Sequence, residues 1–178
     1  MASRGELIEI FGRHGVVTAP HGLGDLLTGE TVNLDVLFAV GLPLRVSGIY
    51  EAEPSREPEA FSLFPVHDGS DAIDLVVLGA PNADSAMRYL LDTRKGYVVL
   101  LDLESANPQL EVVNESLEKF IEFLYRVERF RGFSRSAGGD DVAIADYKEL
   151  LSTYLMSSDS FAMKRDTNWW SMVFDRAL

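Results

Sequence analysis

The segment from Arg88 to Tyr125, RYLLDTRKGYVVLLDLESANPQLEVVNESLEKFIEFLY, constrains the fold more than any other part of the chain. The runs Tyr89–Leu91 and Tyr97–Leu103 flank Asp92-Thr93-Arg94-Lys95-Gly96. That connection has the length of a hairpin turn, with Gly96 free to take a positive φ. Leu110–Val113 is a third, shorter run that reads as an edge or last strand. Asn114 then reads as a helix N-cap, and Glu115 and Glu118 fall in the first turn, where the helix dipole favours acids. Leu117, Phe120, Ile121 and Leu124 recur at i, i+3, i+4 and i+7, which gives that helix one core face. The elements follow one another with almost no slack and hold no catalytic constellation. They point to a binding scaffold on a mixed sheet.

The remaining elements fit around this segment. Ser3 and Glu6 form a capping box ahead of Leu7, Ile8 and Phe11, so a helix is predicted over 4–13, stopped by Gly12 and Gly15. Asn33 caps a helix carrying Leu34, Leu37 and Phe38, with Gly41 as a left-handed stop and Pro43 blocking continuation. SGIYEAE reads as a strand and EPSREPEAF as a polar loop. FSLFPVHDG and AIDLVVLGAP are further strands, the second built on the apolar run Ile73–Leu78 and ended by Gly79 and Pro81. A Ser/Gly-rich break is expected over Gly132–Gly139. A helix then starts at Asp140 or Asp141 with Tyr147, Leu150, Leu151, Tyr154 and Leu155 on one face, and a short helix follows Thr167. The fold class is α+β: one domain over 1–178, a mixed, mainly antiparallel sheet flanked by helices, and 140–178 as a C-terminal helical extension.

Composition removes several function classes. Asp and Glu number 28 against 16 Lys and Arg, a net charge of -12, whereas phosphate contacts need clustered Lys and Arg. Direct nucleic-acid binding is therefore disfavoured, and a basic protein partner suits the charge. With no cysteine in the chain, thiolate catalysis, disulfides and Cys-based zinc sites are excluded. The N-terminal residues lack the apolar core of a secretory signal, and no window is apolar for long enough to span a membrane, so a cytoplasmic location is the default.

Chemical motifs are sparse. His14, His21 and His67 have no metal-ligand spacing, and loop or surface positions suit them better. Gly22-Leu23-Gly24-Asp25-Leu26-Leu27 begins like a phosphate loop but has Leu27 where the third glycine is required. Adjacent acids such as Asp140-Asp141 read as a helix cap. Trp169 and Trp170 could form a cationic-ligand cage, yet their apolar helical setting favours packing against the body. No catalytic residue, metal ligand or cofactor site is assigned.

Taken together, the chain resembles the SUKH superfamily (Smi1/Knr4-like), and within it the SUKH-4 immunity-protein group. The resemblance rests on Gly41-Leu42-Pro43 after a helix, Leu78-Gly79 closing a strand, Tyr89-Leu90-Leu91-Asp92, Gly96-Tyr97-Val98-Val99, Val113-Asn114-Glu115-Ser116-Leu117 with Phe120, and the late helix around Trp169-Trp170. It implies a non-enzymatic protein that binds and neutralises a cognate bacterial toxin domain, of nuclease or deaminase type, by covering its active or substrate site. The same fold could instead serve as a regulatory scaffold that recruits signalling or cell-wall proteins, and a small hydrolase would need a pocket with convergent polar groups. The expected contact residues are the acids Glu51, Glu53, Glu57 and Glu59, with Asp68, Asp71 and Asp74 as secondary candidates.

Overall fold

The structure is a computed structural model that describes residues 1–27, 32–68, 71–106 and 109–177. Ser3 caps α1 (Arg4–Phe11): its hydroxyl accepts the Glu6 amide, and the Glu6 carboxylate accepts the Ser3 amide. Three short pieces follow, β1 (Val16–Val17), α2 (Leu23–Leu26) and α3 (Asp35–Ala39). The chain then turns at Gly41 (φ 82°) into β2 (Leu42–Pro43), which pairs antiparallel with β1. A small hairpin of β3 (Arg45–Val46) and β4 (Tyr50–Glu51) leads into a long loop.

The main sheet is an antiparallel meander, with spatial order equal to chain order. Its strands are β5 (Leu63–Asp68), β6 (Asp71–Gly79), β7 (Met87–Asp92), β8 (Val98–Asp102) and β9 (Glu111–Asn114). Short links explain the order, because consecutive strands joined by few residues pair antiparallel with each other. At the β7–β8 turn the Asp92 carboxylate accepts the Arg94 and Lys95 amides at 2.9 Å each. Helices α4 (Leu117–Ser136), α5 (Asp141–Ser158) and α6 (Trp169–Ala177) complete the fold.

Alternate residues of the central strands enter two different apolar clusters. Val76, Leu78, Tyr89, Leu91, Val98 and Leu100 join Phe120, Ile121, Phe123, Leu124 and Val127 of α4 in the main core. Leu75, Val77, Leu90, Val99 and Leu101 form a second, smaller cluster on the opposite face, with Phe64, Val66, Ile73, Leu103 and Val112 packed against it. Strands apolar on both faces read as unbroken hydrophobic runs, which is how LVVL, YLL and VVLL appear in the sequence. The main core reaches from Ala2 to Phe174 and centres on Tyr50, Tyr89, Phe120 and Trp170.

Several local expectations are corrected. Asn114 is the last residue of β9; the N-cap of α4 is Ser116, whose hydroxyl accepts the Lys119 amide. Asn33 lies just outside α3 and forms a turn in which Oδ1 accepts the Asp35 amide at 2.7 Å. Gly132 does not break the helix, which runs on to Ser136. Phe130 and Phe133 clasp the Tyr147 ring edge-on at 5.6 and 4.9 Å, and that packing outweighs the roughly 1 kcal/mol a glycine costs a helix. Leu150 is 69% exposed: the buried line of α5 is Leu151 and Leu155, and a residue one position away points about 100° off. The predicted strand SGIYEAE contracts to Tyr50–Glu51.

Candidate functional site

The acidic loop leaves β4 and returns to β5, and one buried side chain shapes it. Arg88 sits on β7 with no exposed surface. Its guanidinium donates to the carbonyls of Arg56, Glu57 and Pro58 in the loop, and to those of Ser85 and Met87 beside it. A buried cation normally needs a carboxylate partner; here peptide dipoles satisfy it, which ties three consecutive loop carbonyls to the sheet. Burial lowers the Arg88 pKa from its ordinary value, and the Arg56 charge adds to that. Arg56 also reaches Glu104 at 2.7 Å, so the loop is joined to the segment after β8.

The predicted acids separate on this frame. Glu53 and Glu59 are exposed and line one cavity of about 400 Å³ with Val17, Ala52, Pro54, Ala60 and Phe61. Glu57 is exposed, and its carbonyl is one of the Arg88 acceptors. Glu51 is half-buried: its carboxylate pairs with Arg45 at 3.0 Å, and its backbone bridges to Ala80, so its contacts hold the small hairpin. Asp74 is half-buried within β6, and its carbonyl accepts the Thr93 hydroxyl at 2.7 Å. Asp68 and Asp71 are register partners at the β5–β6 turn; their side chains lie outside the described residues.

Two buried polar centres were not legible beforehand. Asp159 has no exposed surface, and its carboxylate accepts Asn114 Nδ2 at 3.1 Å and the Glu115 and Ala162 amides at 2.9 and 3.2 Å. Asn114 Oδ1 in turn accepts the Trp170 indole N–H at 2.9 Å. Trp170 is fully buried and Trp169 sets its ring edge against Tyr89, so the tandem tryptophans pack against the body as expected. On α4, Glu122 accepts Arg126 Nε at 2.7 Å and the Tyr154 hydroxyl at 2.8 Å. Burial raises its carboxyl pKa, but those hydrogen bonds and the Arg126 charge outweigh it and hold the group below the usual carboxylate range. The only advance signal for Arg88 and Glu122 was a charge inside an apolar run; nothing marked Asp159.

His14 and His21 are exposed, and the His67 side chain lies outside the described residues. Among the described residues, no three His, Asp or Glu side chains gather as a metal site, and no helix is long and apolar enough to cross a membrane. The arrangement offers an acid-bearing loop pinned to the sheet by Arg88.

No curated protein and no solved structure gives a significant match to the chain. The sequence model of the SUKH-4 immunity protein family matches residues 2–176, so the expected α+β fold and the family agree, and the chain belongs to the SUKH-4 immunity protein family.

Proposed function

We propose that the chain binds a cognate toxin domain one to one and covers its active or substrate-binding site, performing no chemistry of its own. The observation that carries this reading is the family match over nearly the whole chain. The net charge of -12 supports a basic toxin, such as a nuclease or deaminase whose cleft attracts nucleic acid. Glu53, Glu57 and Glu59 make the charged contact, because they are exposed on a loop already held in one shape. A pre-ordered loop loses little entropy on binding. Asp68, Asp71 and Asp74, in the first hairpin of the main sheet, are secondary candidates for that contact. Toxin and inhibitor meet in the cytoplasm.

The family resemblance implies that the toxin is encoded beside its inhibitor, so the test is co-expression with the toxin domain encoded beside this gene, together with a pull-down of the purified pair. Rescue of growth and a one-to-one complex are expected. Growth arrest that persists, with no complex recovered, refutes the reading, and capture of several unrelated proteins without rescue would favour the recruiting scaffold.

A further inference from the structure

The face of the main sheet opposite α4 carries its own apolar cluster, and among the described residues no helical residue belongs to it. Between β5 and β8 this face opens into a groove of about 370 Å³ lined by Phe64, Pro65, Val66, Leu101, Leu103 and Leu110, with Asp102 at its side. Leu110 is 49% exposed at the groove. We propose that this groove receives an apolar anchor side chain of the cationic toxin domain, with the acidic loop as the charged rim of the same interface. The proposal rests on the immunity reading and adds the centre of the contact to it.

Three observations select this occupant. First, the loop is tied to the sheet beside the groove. Arg88 ties loop carbonyls to β7, and Arg56 of the loop pairs with Glu104, the residue after Leu103. Protein interfaces place desolvated apolar anchors at the centre and charged groups at the rim; Asp102 stands at the groove itself, and the Arg56–Glu104 pair brings the loop to its edge. Second, charge argues against a second copy of this chain. Asp102 lines the groove in a molecule of net charge -12, so self-association would set acid against acid, whereas a basic surface is attracted. Third, the sheet edge beside the groove resists strand addition. β5 is an edge strand with Pro65 in its middle, where a proline offers no amide donor. A partner is therefore admitted by its side chains over the face, not by extending the sheet.

The test titrates wild type, Leu110→Asn and Leu110→Met with an inactivated form of the toxin domain encoded beside the gene, and reads methyl NMR shifts of Leu101, Leu103 and Leu110 in the wild-type complex. Leu110→Asn changes no charge and alters an exposed site, so thermal unfolding should match wild type. We expect it to weaken binding by about tenfold, chiefly through faster dissociation, while Leu110→Met stays within about threefold. The three leucine methyls should shift in the complex. If wild type binds while the methyls stay still and Leu110→Asn binds equally well, the groove is refuted and the immunity reading survives. Absence of any wild-type binding refutes both. A wild-type dimer that Leu110→Asn converts to monomer would assign the groove to a second copy and overturn the proposal.

Discussion

Asp159 shows how one residue can hold a terminus in place. Its carboxylate takes the Asn114 amide and two backbone N–H groups in full burial, and Asn114 passes the connection to Trp170. Truncation would take that acceptor from three donors, of which the Ala162 amide keeps the Asp159 carbonyl. Asp159→Ala should therefore lower unfolding stability by about 1–3 kcal/mol, read from urea midpoints, and should redden the tryptophan emission as the last helix loosens. Two glycines act by absence of a side chain. A Cβ on Gly41 would stand 2.4 Å from the Val17 carbonyl oxygen, and one on Gly79 would stand 2.4 Å from that of Glu51. Both also hold positive φ, at 82° and 142°. Gly41 and Gly79 thus stand where backbones cross, which accounts for their place in the sequence pattern that carried the family resemblance.

At the scale of elements, the loop between β4 and β5 depends on β7. Arg88→Met keeps the bulk and removes the donors, leaving the Arg56, Glu57 and Pro58 carbonyls without that partner. Amide exchange over residues 55–61 should accelerate, and stability should fall by about 3 kcal/mol, the order expected for losing charge-assisted bonds in a buried site. Exchange as slow as in wild type would show that the loop holds its shape by other means. The clasp between α4 and α5 titrates. Glu122 ionises below its ordinary value of 4.5 when folded, through its bonds from Arg126 and Tyr154. A depressed folded pKa contributes stability that is complete above the unfolded value and disappears as pH falls through the folded one. Glu122→Gln should therefore be less stable than wild type near neutrality, and urea melts taken down to about pH 3 should show the gap closing.

The whole molecule is a strongly acidic body, and long-range charge acts on encounter more than on residence. Association with a basic toxin domain should slow at least about tenfold between low and high salt in stopped-flow traces, with dissociation changing less. A salt-independent association rate would remove the electrostatic part of the reading. Much of this body was legible in the chain. The capping box at Ser3, the turn at Gly96, the strand ending at Gly79, and the apolar spacing of α4 are local signals, since each depends on backbone geometry or side-chain spacing within a few residues. Net charge and the absence of cysteine are likewise properties of the chain itself. Expectation and structure part where distant residues outweigh local preference: Gly132 stays helical because Tyr147 packs against Phe130 and Phe133 on either side of it in the chain, and Asn114 leaves its capping role because Asp159 and Trp170 engage it. Tertiary structure alone divided the acids, setting Glu53 and Glu59 beside one cavity and giving Glu51 to Arg45. It alone also made a groove from β5 and β8, because a surface assembled from residues nearly forty positions apart exists only once the intervening strands have paired.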